Sequence, residues 1–259
     1  MNKKYSFDDL CQIMIRLREP NGCPWDREQT IQTLKKYVLE ESYEVIEACD
    51  IGGTKLADEL GDLLLQIVFM STVAAQEGSF TIDDVTTMIC EKMIRRHPHV
   101  FADVSIDTAE DVLDNWEQIK RQERSITTHT QAMQDVTKTL PALLKAQKVQ
   151  QKAKKAGFDW DEVQGALDKT YEELDEVKQA IEQVDAAAIE DEIGDLLFAS
   201  VNIARFMKVN PEMALMGATD KFISRFAMVE KQVLEQGKCM EDLTLAELDV
   251  IWNQVKKQK

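Results

Sequence analysis

The sequence predicts an all-α protein of two tandem helical-bundle domains, and three observations carry that expectation. Apolar residues recur at three- and four-residue spacing through most of the chain. No run of alternating β-branched residues occurs, so strand content should be negligible. An acidic pattern also occurs twice: Glu40-Glu41-x-x-Glu44 followed by Glu59-x-x-Asp62, then Glu172-Glu173-x-x-Glu176 followed by Glu192-x-x-Asp195. With 259 residues, the chain has room for two domains of about half that length.

Taken in order, Ser6 is a candidate N-cap for a helix carrying Leu10, Ile13, Met14 and Leu17, which Pro20-Asn21-Gly22-Cys23-Pro24 stops. The first acidic helix should run from about Thr30 to Cys49. Gly52-Gly53 reads as the turn, and Thr54 as the cap of a second acidic helix that continues through Leu60, Leu63, Leu64, Ile67 and Val68. Thr81 opens a helix with Lys92, Arg95 and Arg96, ended by His97-Pro98-His99. A helix over about 108–124 bears Trp116 and Lys120 and closes a first domain, 1–124. Residues 125–139 are rich in Ser, Thr and Gln without a strong period and are expected to be the linker to a second domain, 140–259. That half replays the first: Pro141 begins a helix, Gly157-Phe158-Asp159-Trp160 matches the Trp25-Asp26 turn, and the acidic hairpin follows. Lys221 and Arg225 then repeat Lys92 and Arg96, and Trp252 with Lys256 repeats Trp116 with Lys120.

Composition excludes several classes. A net charge of −16 argues against non-specific binding to nucleic acid or to an anionic membrane. Five cysteines without C-x-x-C spacing indicate neither a disulfide framework nor a zinc ribbon, and fit a reducing cytoplasm. The first residues lack the apolar core of a signal peptide, and no stretch approaches the roughly 20 apolar residues of a membrane helix.

The acidic sets are mirror images about their turns, Glu41 opposite Asp62 and Glu44 opposite Glu59, then Glu173 opposite Asp195 and Glu176 opposite Glu192. On antiparallel helices with axes about 8–10 Å apart, such residues lie at equal heights on facing surfaces. Four converging carboxylates repel one another unless a cation sits among them. One such motif in an acidic protein is usually a solvated helix face, whereas two mirror-symmetric copies point to metal. All-oxygen ligands suit magnesium or manganese. A di-iron bundle would want a Glu-x-x-His pair, and Glu44 and Glu176 are followed three residues on by Glu47 and Gln179. Gly61 and Gly194 interrupt good helices between the carboxylates at a cost of roughly 1 kcal/mol each, which a close approach of backbone or ligand would explain. The Lys/Arg pairs are surface charges or phosphate contacts. Trp252 is core packing or a stacking platform for a base. Trp25, Trp160, Phe158 and the His97-Pro98-His99 turn read as structural.

These residues resemble the MazG-type nucleoside triphosphate pyrophosphohydrolases in their tandem-domain form, members of the all-α NTP pyrophosphatase superfamily, over nearly the whole chain. The likeness rests on Cys-Pro-Trp-Asp (23–26) with Gln29-Thr30, both acidic sets, Arg-Arg-His-Pro-His-Val-Phe (95–101), Asn-Trp-Glu-Gln-Ile-Lys (115–120), Gly-Phe-Asp-Trp (157–160) and Trp-Asn-Gln-Val-Lys (252–256). Ile31 departs from it, since many members carry histidine there. The resemblance implies magnesium-dependent hydrolysis of ribo- and deoxynucleoside triphosphates to monophosphate and pyrophosphate, a house-cleaning role and a homodimer. It implies that Glu173, Glu176, Glu192 and Asp195 are metal ligands and that Glu172 orients the attacking water. Lys169, Lys221, Arg225 and Lys256 would hold phosphate oxygens, and Trp252 the base. Glu40, Glu41, Glu44, Glu59, Asp62, Lys92, Arg96, Trp116 and Lys120 would form a second site in the first half. The resemblance leans toward a C-terminal half that carries most of the activity, and Arg96, at a helix end beside Pro98, should be held less rigidly than Arg225. A narrow dUTPase-like pyrophosphatase, or a nucleotide- or partner-binding scaffold with one inactive half, are the other readings of the same residues.

Overall fold

A computed structural model describes residues 3–102 and 107–257. Among them are helices and no strand, and the chain divides into two compact units, Met1–Lys120 and Arg121–Lys259.

In the first unit α1 (Phe7–Leu17) starts at Ser6, whose hydroxyl accepts from the Asp9 N–H while the Asp9 carboxylate accepts from the Ser6 N–H. The chain then doubles back so tightly that the Cys23 N–H reaches the Leu17 carbonyl at 2.7 Å. A Cβ on Gly22 would lie 2.2 Å from that same carbonyl oxygen, so only glycine fits there. After the short α2 (Pro24–Glu28), Thr30 caps α3 (Ile31–Ile51). Gly52 and Gly53 both take positive φ, 72° and 59°, and α4 (Gly53–Gln76) begins at once. Thr54, expected as the cap, therefore lies inside α4, because two left-handed glycines reverse the chain without a loop. α3 and α4 form the hairpin, and α1 and α5 (Ile82–Arg96) pack on α4. Met14, Leu34, Val68, Phe69 and Val73 are the core of this unit, with Trp25 edge-on to Tyr37 and Phe69 at 5.9 and 6.4 Å. α6 (Pro98–Phe101) and α7 (Ala109–Glu123) follow.

The segment expected as linker holds α8 (His129–Gln134), capped reciprocally by Thr128 and Gln131; Ala132 and Val136 are buried, and α8 packs on α9 (Ala142–Lys155). α10 (Val163–Gln183) and α11 (Ala186–Phe206) form the second hairpin, and α9 packs against α11 and α12 (Pro211–Glu235). A 3₁₀ turn at Met240–Asp242 leads to α13 (Leu245–Lys257). Val229 and Val233 of α12 meet Ile251 and Val255 of α13 in a separate apolar cluster. Asp159 of the Trp160 turn accepts a two-pronged contact from Arg205 of α11, whose side chain is buried. This tie joins the loop to the hairpin as the Arg18 guanidinium does in the first unit, where it donates to the Asp26 and Gln29 carbonyls.

The two hairpin turns differ in chemistry. Where the first has glycines, α10 ends on Val184 at φ 55° and ψ 33°, and Asp185 then accepts from the Ala187 and Ala188 N–H groups. A β-branched residue in the left-handed region costs on the order of 1–2 kcal/mol. Val184 is 84 % exposed, so no packing compensates. Val184→Gly should therefore raise the stability of the protein by about 1 kcal/mol in urea melts.

Candidate metal and phosphate site

Each hairpin gathers three carboxylates. Glu41 of α3 meets Glu59 and Asp62 of α4, and Glu173 of α10 meets Glu192 and Asp195 of α11; one oxygen from each lies within 4.8 Å of the others. The spacing explains the convergence, since residues three apart on α4 or α11 share the face that packs on the partner helix. The two trios occupy repeat-equivalent positions. Glu44 and Glu176, the remaining members of the expected quartets, stand outside these trios. Glu176 is held above the usual carboxylate range first by its hydrogen-bonding contact with Glu173, then by desolvation and by the charges of Glu173 and Glu192. Glu41 is pushed up in the same direction, first by desolvation and then by Asp62, Glu44, Glu59 and Glu40.

One glutamate in each trio is buried, Glu59 at 3 % exposure and Glu173 at 4 %. Each has a lysine one helical turn before it. Lys55 pairs with Glu59, and Lys169 lies 2.6 Å from Glu173 and 2.9 Å from Glu172. The hydrogen bonds to Glu173 and then Glu172 hold the Lys169 ammonium above the ordinary lysine range. Lys169, expected at phosphate, is thus engaged with carboxylates. Lys55 was not singled out in the sequence, although its i,i+4 spacing from Glu59 is plain there.

The donor set fits a hard divalent cation. Glu173 Oε2 is buried and has no hydrogen-bond partner, while its other oxygen faces Lys169. A buried carboxylate oxygen without a donor is costly in isolation and is satisfied by a cation drawn to the same point by Glu192 and Asp195. The two interrupting glycines face open space. A Cβ on Gly61 or Gly194 would meet nothing within 4 Å, so the close backbone approach considered above does not occur, and open space at the carboxylates remains. Gly194 and Asp195 line a shallow cavity of about 580 Å³ with Ala187, Ala188, Glu190 and Asp191.

The expected cationic residues stand elsewhere. Lys221 and Arg225 lie on α12, Trp252 and Lys256 on α13. Among the described residues no hydrogen bond or ion pair joins Lys221, Arg225 or Lys256 to the carboxylates. Trp252 packs against the α12–α13 apolar cluster and sits 5.2 Å from the Phe222 ring. It also lines a cavity of about 360 Å³ with Phe222, Phe226, Leu245, Leu248 and Asp249, so it is partly packing and partly open face. In the first half Lys92 and Arg96 lie on α5, Trp116 and Lys120 on α7. Arg96 is buried at 8 % exposure with its guanidinium 5.9 Å from the Trp116 ring centre. His97 stands edge-on to the same ring at 4.9 Å. Although Pro98 ends the helix, Arg96 is thus buried beside the Trp116 ring.

The MazG nucleotide pyrophosphohydrolase domain matches residues 29–101 and again 149–229, the two hairpins with their flanking helices. The chain is 46 % identical over 256 residues to the nucleoside triphosphate pyrophosphohydrolase of Escherichia coli strain K12, covering 97 % of each chain. It is 43 % identical to the nucleoside triphosphate pyrophosphohydrolase/pyrophosphatase MazG of Thermotoga maritima, over 96 % of this chain and 95 % of that one. An uncharacterized protein of Bacillus subtilis, YabN, is 46 % identical over 98 % of this chain, which corresponds to 52 % of its own length.

Filling the space at Gly194 separates a structural role from a ligand role. Gly194→Ala should stabilise the fold by about 0.5–1 kcal/mol through helix propensity. It should also weaken nucleotide binding in calorimetric titration, because the methyl group enters the open space beside Asp195.

Proposed function

We propose that this chain, which belongs to the MazG nucleotide pyrophosphohydrolase family, hydrolyses nucleoside triphosphates, both ribo and deoxy, to nucleoside monophosphate and pyrophosphate. The observation that carries the reading is the carboxylate trio of the second half around buried Glu173, with an unsatisfied Glu173 oxygen and Glu172 beside it under the same lysine. The names of the Escherichia coli and Thermotoga maritima relatives support it. Glu173, Glu192 and Asp195 would hold magnesium, with manganese as a substitute, and Glu176 would join them once its repulsion by Glu173 is relieved. When bound, the ion supplies charge neutralisation and Lewis acidity at the phosphoryl oxygens.

The protein's own groups do the rest. Glu172 accepts the proton of a water whose oxygen attacks the α-phosphorus, and Lys169, in contact with Glu172, fixes that carboxylate's position. The bond from the α-phosphorus to the bridging oxygen breaks, and pyrophosphate leaves with its negative charge met by Lys221, Arg225 and Lys256. The open face of Trp252 takes the base. Large apolar side chains exposed on the second hairpin, among them Leu174, Ile193, Leu197 and Phe198, support a homodimer. Five free cysteines support a reducing, cytoplasmic setting. No helix among the described residues is long and apolar enough to cross a membrane.

Product analysis over a panel of nucleoside triphosphates is the direct test. Monophosphate and pyrophosphate are expected, with activity lost in EDTA; diphosphate and orthophosphate as first products would refute the mechanism. The second half is assigned most of the activity, because Tyr37 stands where Lys169 would need its counterpart, leaving Glu40 without that lysine. Glu173→Gln should accordingly abolish turnover while Glu41→Gln leaves most of it; equal losses would place catalysis in both halves.

Trp252→Ala should raise KM with a smaller effect on kcat, since stacking contributes mainly uniform binding of about 1–3 kcal/mol. If the variant instead melts without a folded baseline, the tryptophan serves the α12–α13 core alone.

A further inference from the structure

The pairing of lysine with buried carboxylate is common to both halves, yet the lysines are not repeat-equivalent. Lys55 lies on the second arm of its hairpin, and the matching position in the other half is Ala188. Lys169 lies on the first arm, and its counterpart is Tyr37. What the halves share is therefore the charge pairing and not a sequence position: whichever glutamate of the trio is buried, Glu59 in one and Glu173 in the other, has the ammonium one turn before it. An ordinary helix-surface pair does not explain the pattern. Lys231 and Glu235 have the same spacing but are both largely exposed and 4.0 Å apart.

We propose that Lys55 and Lys169 are resident counter-ions of the two trios. Each neutralises the one carboxylate that burial would otherwise leave uncompensated, and each lowers the affinity of its own half for a divalent cation. The inference rests on the metal reading above and assigns a role to Lys55, a residue outside the expected site. One ammonium offsets only part of the charge of three carboxylates, so the cation still binds, but against a positive charge already in place. Lys55 keeps about half of its side-chain surface open and can swing away as the ion enters, whereas Lys169 can keep its contact with Glu172.

Mn²⁺ binding, followed by the electron paramagnetic resonance signal of the free ion, tests this without reference to turnover. The titration uses full-length protein with Glu173→Gln and Asp195→Asn, so that it reports the first half. Adding Lys55→Met should tighten Mn²⁺ binding by about five- to tenfold, the size expected from removing a unit charge a few ångströms from a doubly charged ion at a water-like dielectric. Lys55→Arg should stay within twofold of its parent, and the control Lys231→Met should change nothing. In EDTA, Lys55→Met should melt below its parent, and Mn²⁺ should remove the difference. Should that variant fail to fold, Lys169→Met with Glu41→Gln and Asp62→Asn makes the same comparison in the second half. Unchanged or weaker Mn²⁺ binding on loss of the lysine, or equal tightening by Lys231→Met, overturns the proposal while leaving the metal reading intact. Where the parent binds no Mn²⁺, binding that appears with Lys55→Met supports the proposal and continued silence overturns it. Absence of Mn²⁺ binding by the unaltered protein overturns both readings.

Discussion

The structure turns on electrostatic repulsion between carboxylates held at one height on two antiparallel helices. Bringing three acidic oxygens within 4.8 Å of one another opposes the packing of α3 on α4 and of α10 on α11. Each hairpin answers with a lysine on the member it buries and with solvent or a neighbour's proton for the rest. Desolvation first for Glu41, and the hydrogen-bonding contact with Glu173 first for Glu176, hold these two carboxyls above the usual range, with the neighbouring carboxylates adding to both. Apolar packing at the far ends of the hairpins, such as Val68, Phe69 and Val73 on α4, holds the helices together while the acidic ends stay under strain.

The internal repeat shows which features belong to the hairpin and which are local solutions. Trio positions coincide in the two halves, as does the open space at Gly61 and Gly194. The turns do not: one uses two glycines at positive φ, the other a valine and an aspartate cap. Nor do the arginines that tie the Trp loops down, Arg18 at the C-cap of α1 in one half and Arg205 from α11 in the other. In the second half this leaves a cavity of about 460 Å³ between Trp160, Phe198, Ala153 and Met133. Equivalent requirements, a closed turn and an anchored loop, were met by different residues.

The parts of this structure governed by local chemistry were legible in the sequence. Ser6 and Thr81 cap their helices through side-chain and backbone pairs three residues apart, and the mirror spacing of the acids pointed to both clusters, though as quartets with Glu44 and Glu176 where the structure gathers three. Thr128 and Gln131 make the same kind of box, but a six-residue helix has too short a period to stand out from a Ser/Thr/Gln-rich stretch. Val184 carries no turn signal because its conformation is imposed by the hairpin around it. The burial of Arg96 is not legible because Pro98 marks a helix end in sequence, while the ring beside the guanidinium comes from Trp116, on another helix. Lys55 was overlooked since the mirror rule directs attention to acids, and burial of Glu59 is a tertiary fact.

Charge distribution connects the fold to its substrate. A chain with net charge −16 repels a nucleoside triphosphate at long range, so binding depends on cations kept for it locally. Lysines that stand one turn from a buried glutamate are committed to it, as Lys55 and Lys169 are. Lys221, Arg225 and Lys256 are committed to no carboxylate among the described residues, although acidic side chains outnumber basic ones by 47 to 31. In so acidic a protein, basic side chains left without ion pairs on neighbouring helices are the groups available to phosphate. In the proposed function the carboxylates would draw the cation and the unpaired bases the anion, so that the two charges of a metal-bound triphosphate would be met on separate helices of one unit.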